Sequence, residues 1–172
     1  MRLLVLSDSH GRVDRVREAV SRARGADMIL FLGDGLRDLS LPDADDEARL
    51  CAVRGNCDTS LFADDLPEER FLALGEYHIL MMHGHTHDVK YGYARAVAYA
   101  ASRGADLLIF GHTHEAMATY LPAGERIGGV TLAKPMHVFN PGSLGSPRGG
   151  SPSFGWIDLC SQGIVCSHGI LE

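Results

Sequence analysis

Five short apolar runs in this sequence end in the same way, with acidic, amide or imidazole side chains set beside glycine. The endings are Asp8-Ser9-His10, Gly33-Asp34, Gly55-Asn56-Cys57-Asp58, His83-Gly84-His85 and Gly111-His112-Thr113-His114. These side chains are metal ligands and proton carriers. In Asp-x-His or His-x-His on extended backbone, both side chains fall on one face, so they can share an ion or hold two adjacent ones. A mixed set of carboxylate, amide and imidazole suits Mn, Fe, Zn or Ni. Each fragment alone has a plainer reading: Gly-Asp favours a tight turn, and one histidine at a strand end is more often a satisfied surface group. Recurrence at five strand ends is what points to a site. Open α/β sheets build their sites beyond the carboxyl ends of parallel strands, where glycine lets the backbone turn and approach a ligand closely.

The elements that must position these groups can be read from the hydrophobic pattern. Residues 2–6 and 28–32 are apolar without alternation, as expected of strands covered on both faces. Between them, Val13, Val16, Val20 and Ala23 fall at helical spacing over 12–24, with Gly25 as a C-terminal cap. This β-α-β start predicts a parallel pair. The acidic stretch 37–48 reads as a solvated connection or short helix, and 50–53 as a third strand. Residues 70–74 and 77–82 read as a hairpin around Gly75-Glu76. A helix spans 92–103 and stops at Gly104, and 106–110 is a buried strand. Antiparallel strands follow near 117–121, 136–139, 153–159 and 163–167, with turns at 122–124 and 161–163. No linker divides the chain, so residues 1–172 are expected to form a single α/β domain.

Composition narrows the function classes. The chain has 172 residues, 45% hydrophobic and 22% charged, with a formal charge of −6. That balance suits a soluble globular protein, and gives no electrostatic reason to expect nucleic-acid or membrane binding. The first apolar run is too short for a signal-peptide core or a membrane span. Four cysteines without a C-x-x-C pair argue against a disulfide framework and make a reducing cytoplasm the expected location. Cys51, Cys160 and Cys166 are expected to be small buried hydrophobes.

The order of the five endings resembles the calcineurin-like metallophosphoesterase family, whose pattern runs D-x-H, G-D, G-N-H-D/E, H, G-H-x-H. The order holds from residue 8 to residue 114. The length, the G-N-C-D version of the third motif, and Asn140-Pro141-Gly142-Ser143 with Pro147-Arg148 are similar to the small single-domain phosphodiesterase branch. The resemblance implies a four-layer α/β/β/α sandwich of two mixed sheets flanked by helices. It implies two divalent metal ions, Mn first and Fe, Ni, Zn or Mg as alternatives. Asp8, His10 and His114 would hold one ion, and Asn56, His83 and His112 the other, with Asp34 bridging. The implied reaction is hydrolysis of a P–O ester bond by a hydroxide held between the ions, on a small phosphoester substrate. Asn140 and Ser143 would hydrogen-bond near the metals and Arg148 would contact substrate phosphate; a turn followed by a solvated arginine is the alternative.

Cys57 stands where larger members of that family carry a histidine assigned to the leaving group. A thiol is an indifferent substitute for an imidazole, so a preference for diesters or good leaving groups is expected, with packing beside the site as the other reading. Asp58 is expected to orient a neighbouring ligand or stabilise the turn, and His85 to act beside the metals or on substrate. His87 is expected in an exposed loop, and His78, His137 and His168 in structural roles. The string His83-Gly84-His85-Thr86-His87-Asp88 does not fit H-x-H-x-D-H, the metallo-β-lactamase-type signature, because the Asp and the second His are exchanged. Three functions remain: a phosphodiesterase, a phosphomonoesterase or nucleotide phosphatase on the same site, and a non-catalytic scaffold. Specificity would lie in the loops around 36–48, 59–69, 86–92 and 144–152, and homo-oligomers through free strand edges are a further expectation.

Overall fold

A computed structural model describes residues 1–39, 49–59 and 65–172. Two five-stranded sheets face one another. The first holds β1 (Arg2–Leu6), β2 (Met28–Phe31), β3 (Leu50–Ala52), β11 (Ser153–Cys160) and β12 (Gly163–Ile170), in the order β12-β11-β1-β2-β3. The second holds β4 (Glu69–Leu74), β5 (Tyr77–Met82), β6 (Leu107–Phe110), β7 (Ala116–Leu121) and β10 (Met136–Pro141), in the order β4-β5-β6-β10-β7. A small hairpin of β8 (Arg126–Ile127) and β9 (Val130–Thr131) stands apart. Helix α1 (Val13–Arg22) follows β1, and helix α2 (Ala94–Ser102) precedes β6.

Strand alternation produces the layers. In β1, Leu3 and Val5 point into the space between the sheets, while Leu4 and Leu6 point outward against Val16, Ala19 and Val20 of α1. In the second sheet, Ile79, Met81, Leu107 and Ile109 point inward, and Leu80, Met82, Leu108 and Phe110 meet Ala96, Val97 and Ala100 of α2. The layer order is therefore helix, sheet, sheet, helix, and the central strands must be apolar on both faces. Each fully buried Leu- or Ile-sized side chain contributes roughly 1.5–3 kcal/mol.

Both sheets are mixed. β1, β2 and β3 run parallel, as do β5, β6 and β10, whereas β11, β12, β4 and β7 pair antiparallel. The segment 136–139, expected to be antiparallel, extends to Pro141 and is parallel to β6 on one side and antiparallel to β7 on the other. Asp38, expected in a solvated connection, is buried; residues 40–48 of that stretch and 60–64 of the next specificity loop lie outside the described residues. All four cysteines are free, with Cys51 and Cys166 partly buried and Cys160 exposed, contrary to its expected burial.

The sheets meet closely at Gly155 of β11, which pairs with Val5. A Cβ at Gly155 would overlap the ring edge of Phe139, a fully buried residue of the inter-sheet core. Gly155→Ala should therefore lower stability by about 1–3 kcal/mol. In a double-mutant cycle with Phe139→Leu, denaturant unfolding should show coupling of at least about 0.5 kcal/mol; additive effects would contradict this contact.

Candidate metal centre

All seven expected ligands follow strands that run in one direction. Asp8 and His10 come after β1, Asp34 after β2, Asn56 after β3, His83 after β5, and His112 and His114 after β6. The site thus lies at the seam where the carboxyl ends of both sets of parallel strands meet. Five of these residues have left-handed backbone: Asp8 (φ 53°), His10 (44°), Asp34 (58°), His112 (65°) and His114 (62°). Such conformations cost free energy outside glycine and cluster at functional sites. They reverse the chain abruptly, so ligands two residues apart return to the same spot.

The ligand atoms fall into overlapping groups. Asp8, His10 and His114 form one, and Asp34, His83 and His112 another; within each, the candidate ligand atoms lie within 4.8 Å of one another. His10 also falls within that distance of Asp34 and Cys57, which joins the two groups through Asp34. Asp34 Oδ2 is 3.4 Å from His83 Nε2 and 3.9 Å from His10 Nε2. Asn56 Oδ1 lies 3.2 Å from His83 Nε2.

Hydrogen bonds behind the ligands decide which atoms face inward. His83 Nδ1 is 2.7 Å from the Leu32 carbonyl, and His114 Nδ1 is 2.7 Å from the Ser146 carbonyl. A carbonyl only accepts, so each Nδ1 carries the proton, and in the neutral rings each Nε2 presents a lone pair. His83 Nε2 then faces His112 Nδ1 at 3.0 Å, and His114 Nε2 faces His10 Nε2 at 3.2 Å. Asp8 Oδ2 accepts hydrogen bonds from the Ser7 hydroxyl and the His112 amide, but its buried Oδ1 has no hydrogen-bond partner. That oxygen lies 3.1 Å from His114 Nε2. Buried acceptors aimed at one another are costly unless a cation joins them. The donor set therefore fits divalent ions.

The field at the site points the same way. Burial opposes charge on Asp34, yet the His83 imidazole and the Cys57 amide hold its carboxyl below the usual carboxylate range. Burial likewise opposes a proton on His83, but Asp34 and Asp8 raise its basicity, and Asp8 raises that of His114 against burial. Surroundings that favour a proton on these nitrogens also favour a metal cation. His112 is pushed down to about 4 by burial and by the neighbouring His83, which leaves its nitrogen unprotonated.

The remaining expected site residues divide by what they touch. Asp58 does not face the ligand atoms. Its two oxygens accept from four backbone amides, those of Asp34, Gly35, Leu36 and Gly55, at 2.7–2.9 Å. It ties the loop after β2 to the loop after β3, and Gly55 must lack a Cβ because one would collide with the Asp34 carboxylate. Cys57 is exposed; its amide donates to Asp34 Oδ1, and its Sγ accepts from Asn56 Nδ2 at 3.3 Å. Burial of the sulfur and the nearby carboxylates push that thiol up to about 11, so it is protonated at neutral pH. The His85 ring lies 5.4 Å from that of His83 and 6.1 Å from that of His112, outside the ligand groups, and its buried Nδ1 has no hydrogen-bond partner. His87, expected in an exposed loop, is half-buried, with its ring tilted against that of Tyr99 at 4.8 Å.

Asn140 and Ser143 are fully buried and spend their polar atoms on the loops that carry the candidate ligands. The Asn140 amide donates to the Gly111 carbonyl and to Thr113 Oγ1 and accepts from the Gly142 amide. Ser143 Oγ donates to the Asp8 carbonyl and accepts from the Ser146 amide. With Leu144, Gly145 and Arg148 donating to the carbonyls of Ser7, Asp8 and His114, this segment laces together ligand loops from both sheets. Arg148 is exposed near the His114 loop. Sequence reasoning missed Asp38, which accepts from Ser9 Oγ and the Gly11 amide at 2.6 and 2.7 Å and so holds the loop that carries His10.

Asp58→Asn tests the clamp. An amide in that place turns one acceptor into a donor facing backbone N–H groups, so stability of the metal-free protein should fall by about 1.5–3 kcal/mol in denaturant unfolding. A change within about 0.5 kcal/mol would show that these loops are held by something else.

The geometry agrees with three comparisons. Residues 1–162 match the model of the calcineurin-like phosphoesterase superfamily domain. The chain is 32% identical over 149 residues to the probable metallophosphoesterase YsnB of Bacillus subtilis, covering 86% of this chain and 78% of that protein. It is 31% identical over 182 residues to the phosphodiesterase YfcE of Escherichia coli K12, covering 92% and 88%. A crystal structure from Streptococcus pneumoniae, described as a predicted phosphoesterase, superposes with a TM-score of 0.75 at 25% identity, covering 98% of this chain and 88% of that one. A family model that matches nearly the whole chain, and relatives at 31–32% identity, show that the chain belongs to the calcineurin-like phosphoesterases.

Proposed function

We propose that the protein is a phosphodiesterase that works with two divalent ions, manganese first among the candidates, in a reducing cytoplasm. The observation that carries the reading is the position of Asp34. Its Oδ2 lies 3.9 Å from His10 Nε2 of one group and 3.4 Å from His83 Nε2 of the other, and Oδ1 accepts from the Cys57 amide. Two ions held there would supply Lewis acidity, lowering the pKa of water and neutralising charge on the phosphoryl oxygens.

The chain's own residues have separate tasks in this reading. His83 and His114, locked as Nδ1–H tautomers by Leu32 and Ser146, hold their Nε2 lone pairs toward the ligand centre without rotating. Asp58 and Asp38 keep the loops that carry Asp34 and His10 in left-handed turns. Cys57 lies at the exposed edge beside Asp34 with its thiol pushed up to about 11, which makes it a weak general acid and, being protonated at neutral pH, a poor nucleophile. A chain without an imidazole at this point suits substrates whose leaving group departs without strong acid assistance. That favours diesters with stable leaving groups over alkyl monoesters. The similarity to a named phosphodiesterase, YfcE, supports the same choice.

The protein, stripped and reloaded with Mn, should hydrolyse an aryl phosphodiester faster than the matching monoester. A much faster monoester reaction would favour a phosphomonoesterase, and inactivity on both with metals bound would favour a scaffold. Asp34→Asn should lower activity on either substrate by more than about 100-fold; retained activity would remove Asp34 from its bridging place. Cys57→Ala should keep activity on the aryl diester, because loss of a general acid would cost about 10²–10⁴-fold.

A further inference from the structure

A cavity of about 330 Å³ opens beside the ligand cluster, between a short turn at Val89–Tyr91 and the start of β7. Its lining combines Tyr93, Phe110 and Met117 with two cationic residues, Lys90 and Arg148, and one acidic residue, Glu115. It adjoins the ligands directly. Thr113, which lines it, sits between His112 and His114, and the Arg148 amide donates to the His114 carbonyl at 2.9 Å. Lys90 also lies within electrostatic reach of both His112 and His114. Lys90 and Arg148 are exposed, and among the described residues neither side chain forms an ion pair. A second cavity, of about 250 Å³, opens against His10, Asp34 and Arg37.

A phosphodiester has two ester arms, and among the described residues these two cavities adjoin the candidate ligands. The cavities differ, because the larger is apolar along one wall and carries a pair of uncommitted cations. Building on the phosphodiesterase reading, we infer that the larger cavity is the subsite for one ester arm of the substrate, an aromatic group bearing a second anionic substituent. Tyr93, Phe110 and Met117 take the ring, for which flat apolar walls are suited. Lys90 and Arg148 take the anion, and Arg148 can hold a carboxylate or phosphate through two N–H groups. Glu115 at the same wall opposes an anion, so Lys90 and Arg148 leave the charged lining with one net positive charge.

The test uses the Mn-loaded full chain and two diesters, 4-nitrophenyl phenyl phosphate and its counterpart with a para-carboxylate on the phenyl ring. The carboxylated diester should have the higher kcat/KM. Lys90→Gln and Arg148→Gln should each reduce that preference by about fivefold, the scale of a partly exposed charge contact, mainly through KM. Arg126→Gln, on the separate β8–β9 hairpin, should leave it unchanged. Equilibrium binding of the two matching methylenephosphonates, which cannot be hydrolysed, reads the subsite without turnover. Hydrolysis of both diesters with no preference, or a preference insensitive to both substitutions, would overturn the subsite and leave the phosphodiesterase reading standing. No hydrolysis, but tighter binding of the carboxylated phosphonate that Lys90→Gln abolishes, would keep the subsite and overturn the phosphodiesterase reading. No hydrolysis and no difference in binding would overturn both.

Discussion

Two buried carboxylates, Asp8 and Asp34, face imidazole lone pairs at the seam of two sheets, and this arrangement governs the rest of the structure. Asp8 is fully buried and Asp34 is 3% exposed. A carboxylate without compensation at that depth costs several kcal/mol. The protein compensates in two ways. One oxygen of each is fixed by backbone amides, those of His112 and Cys57. The other oxygen of each is left toward the nitrogens of His114, His83 and His10, where a divalent ion would satisfy all of them. The fold supplies rigidity, and the cation it calls for would supply the missing charge balance.

That requirement explains features that have nothing to do with catalysis when seen singly. The left-handed turns at Asp8, His10, Asp34, His112 and His114 are strained, so other groups must hold them. Asp58 and Asp38 do so from below, each gathering backbone amides or a hydroxyl from a ligand loop. The 140–148 segment does so from the side, with Ser143 reaching the Asp8 carbonyl and Asn140 the Gly111 carbonyl. Gly111 belongs to the same system, because a Cβ there would strike the Ser7 hydroxyl that supports Asp8. These four carboxylates therefore serve two purposes: Asp8 and Asp34 face the candidate ion site, and Asp38 and Asp58 brace its loops.

Much of this was legible in the sequence. The ligand order could be read because each ligand follows an apolar run and sits beside glycine, which marks strand ends directly. Runs apolar on both faces, such as 2–6 and 106–110, marked strands covered on both sides, and the four layers were what the family resemblance implied. What was not legible has a physical reason in each case. Left-handed backbone at aspartate and histidine leaves no mark in residue type. Asp38 lies at the head of an acidic stretch, and residue type alone does not set a carboxylate that is buried apart from one that is not. Asn140 and Ser143 were placed near the right loops, but a polar residue close to a site can face the backbone or the ligand, and sequence does not distinguish them. β10 pairs in both senses because it inserts between β6 and β7, consecutive strands that run in opposite directions, and no local residue pattern marks that insertion.

The central claim is that Asp34 joins two ion positions. Titrating metal-free protein with Mn(II), followed by electron paramagnetic resonance, addresses it without any assumption about substrate. The account predicts two ions bound per chain and, at saturation, a spin-coupled spectrum from a carboxylate-bridged pair. Saturation at one ion, or two ions with uncoupled spectra, would contradict it.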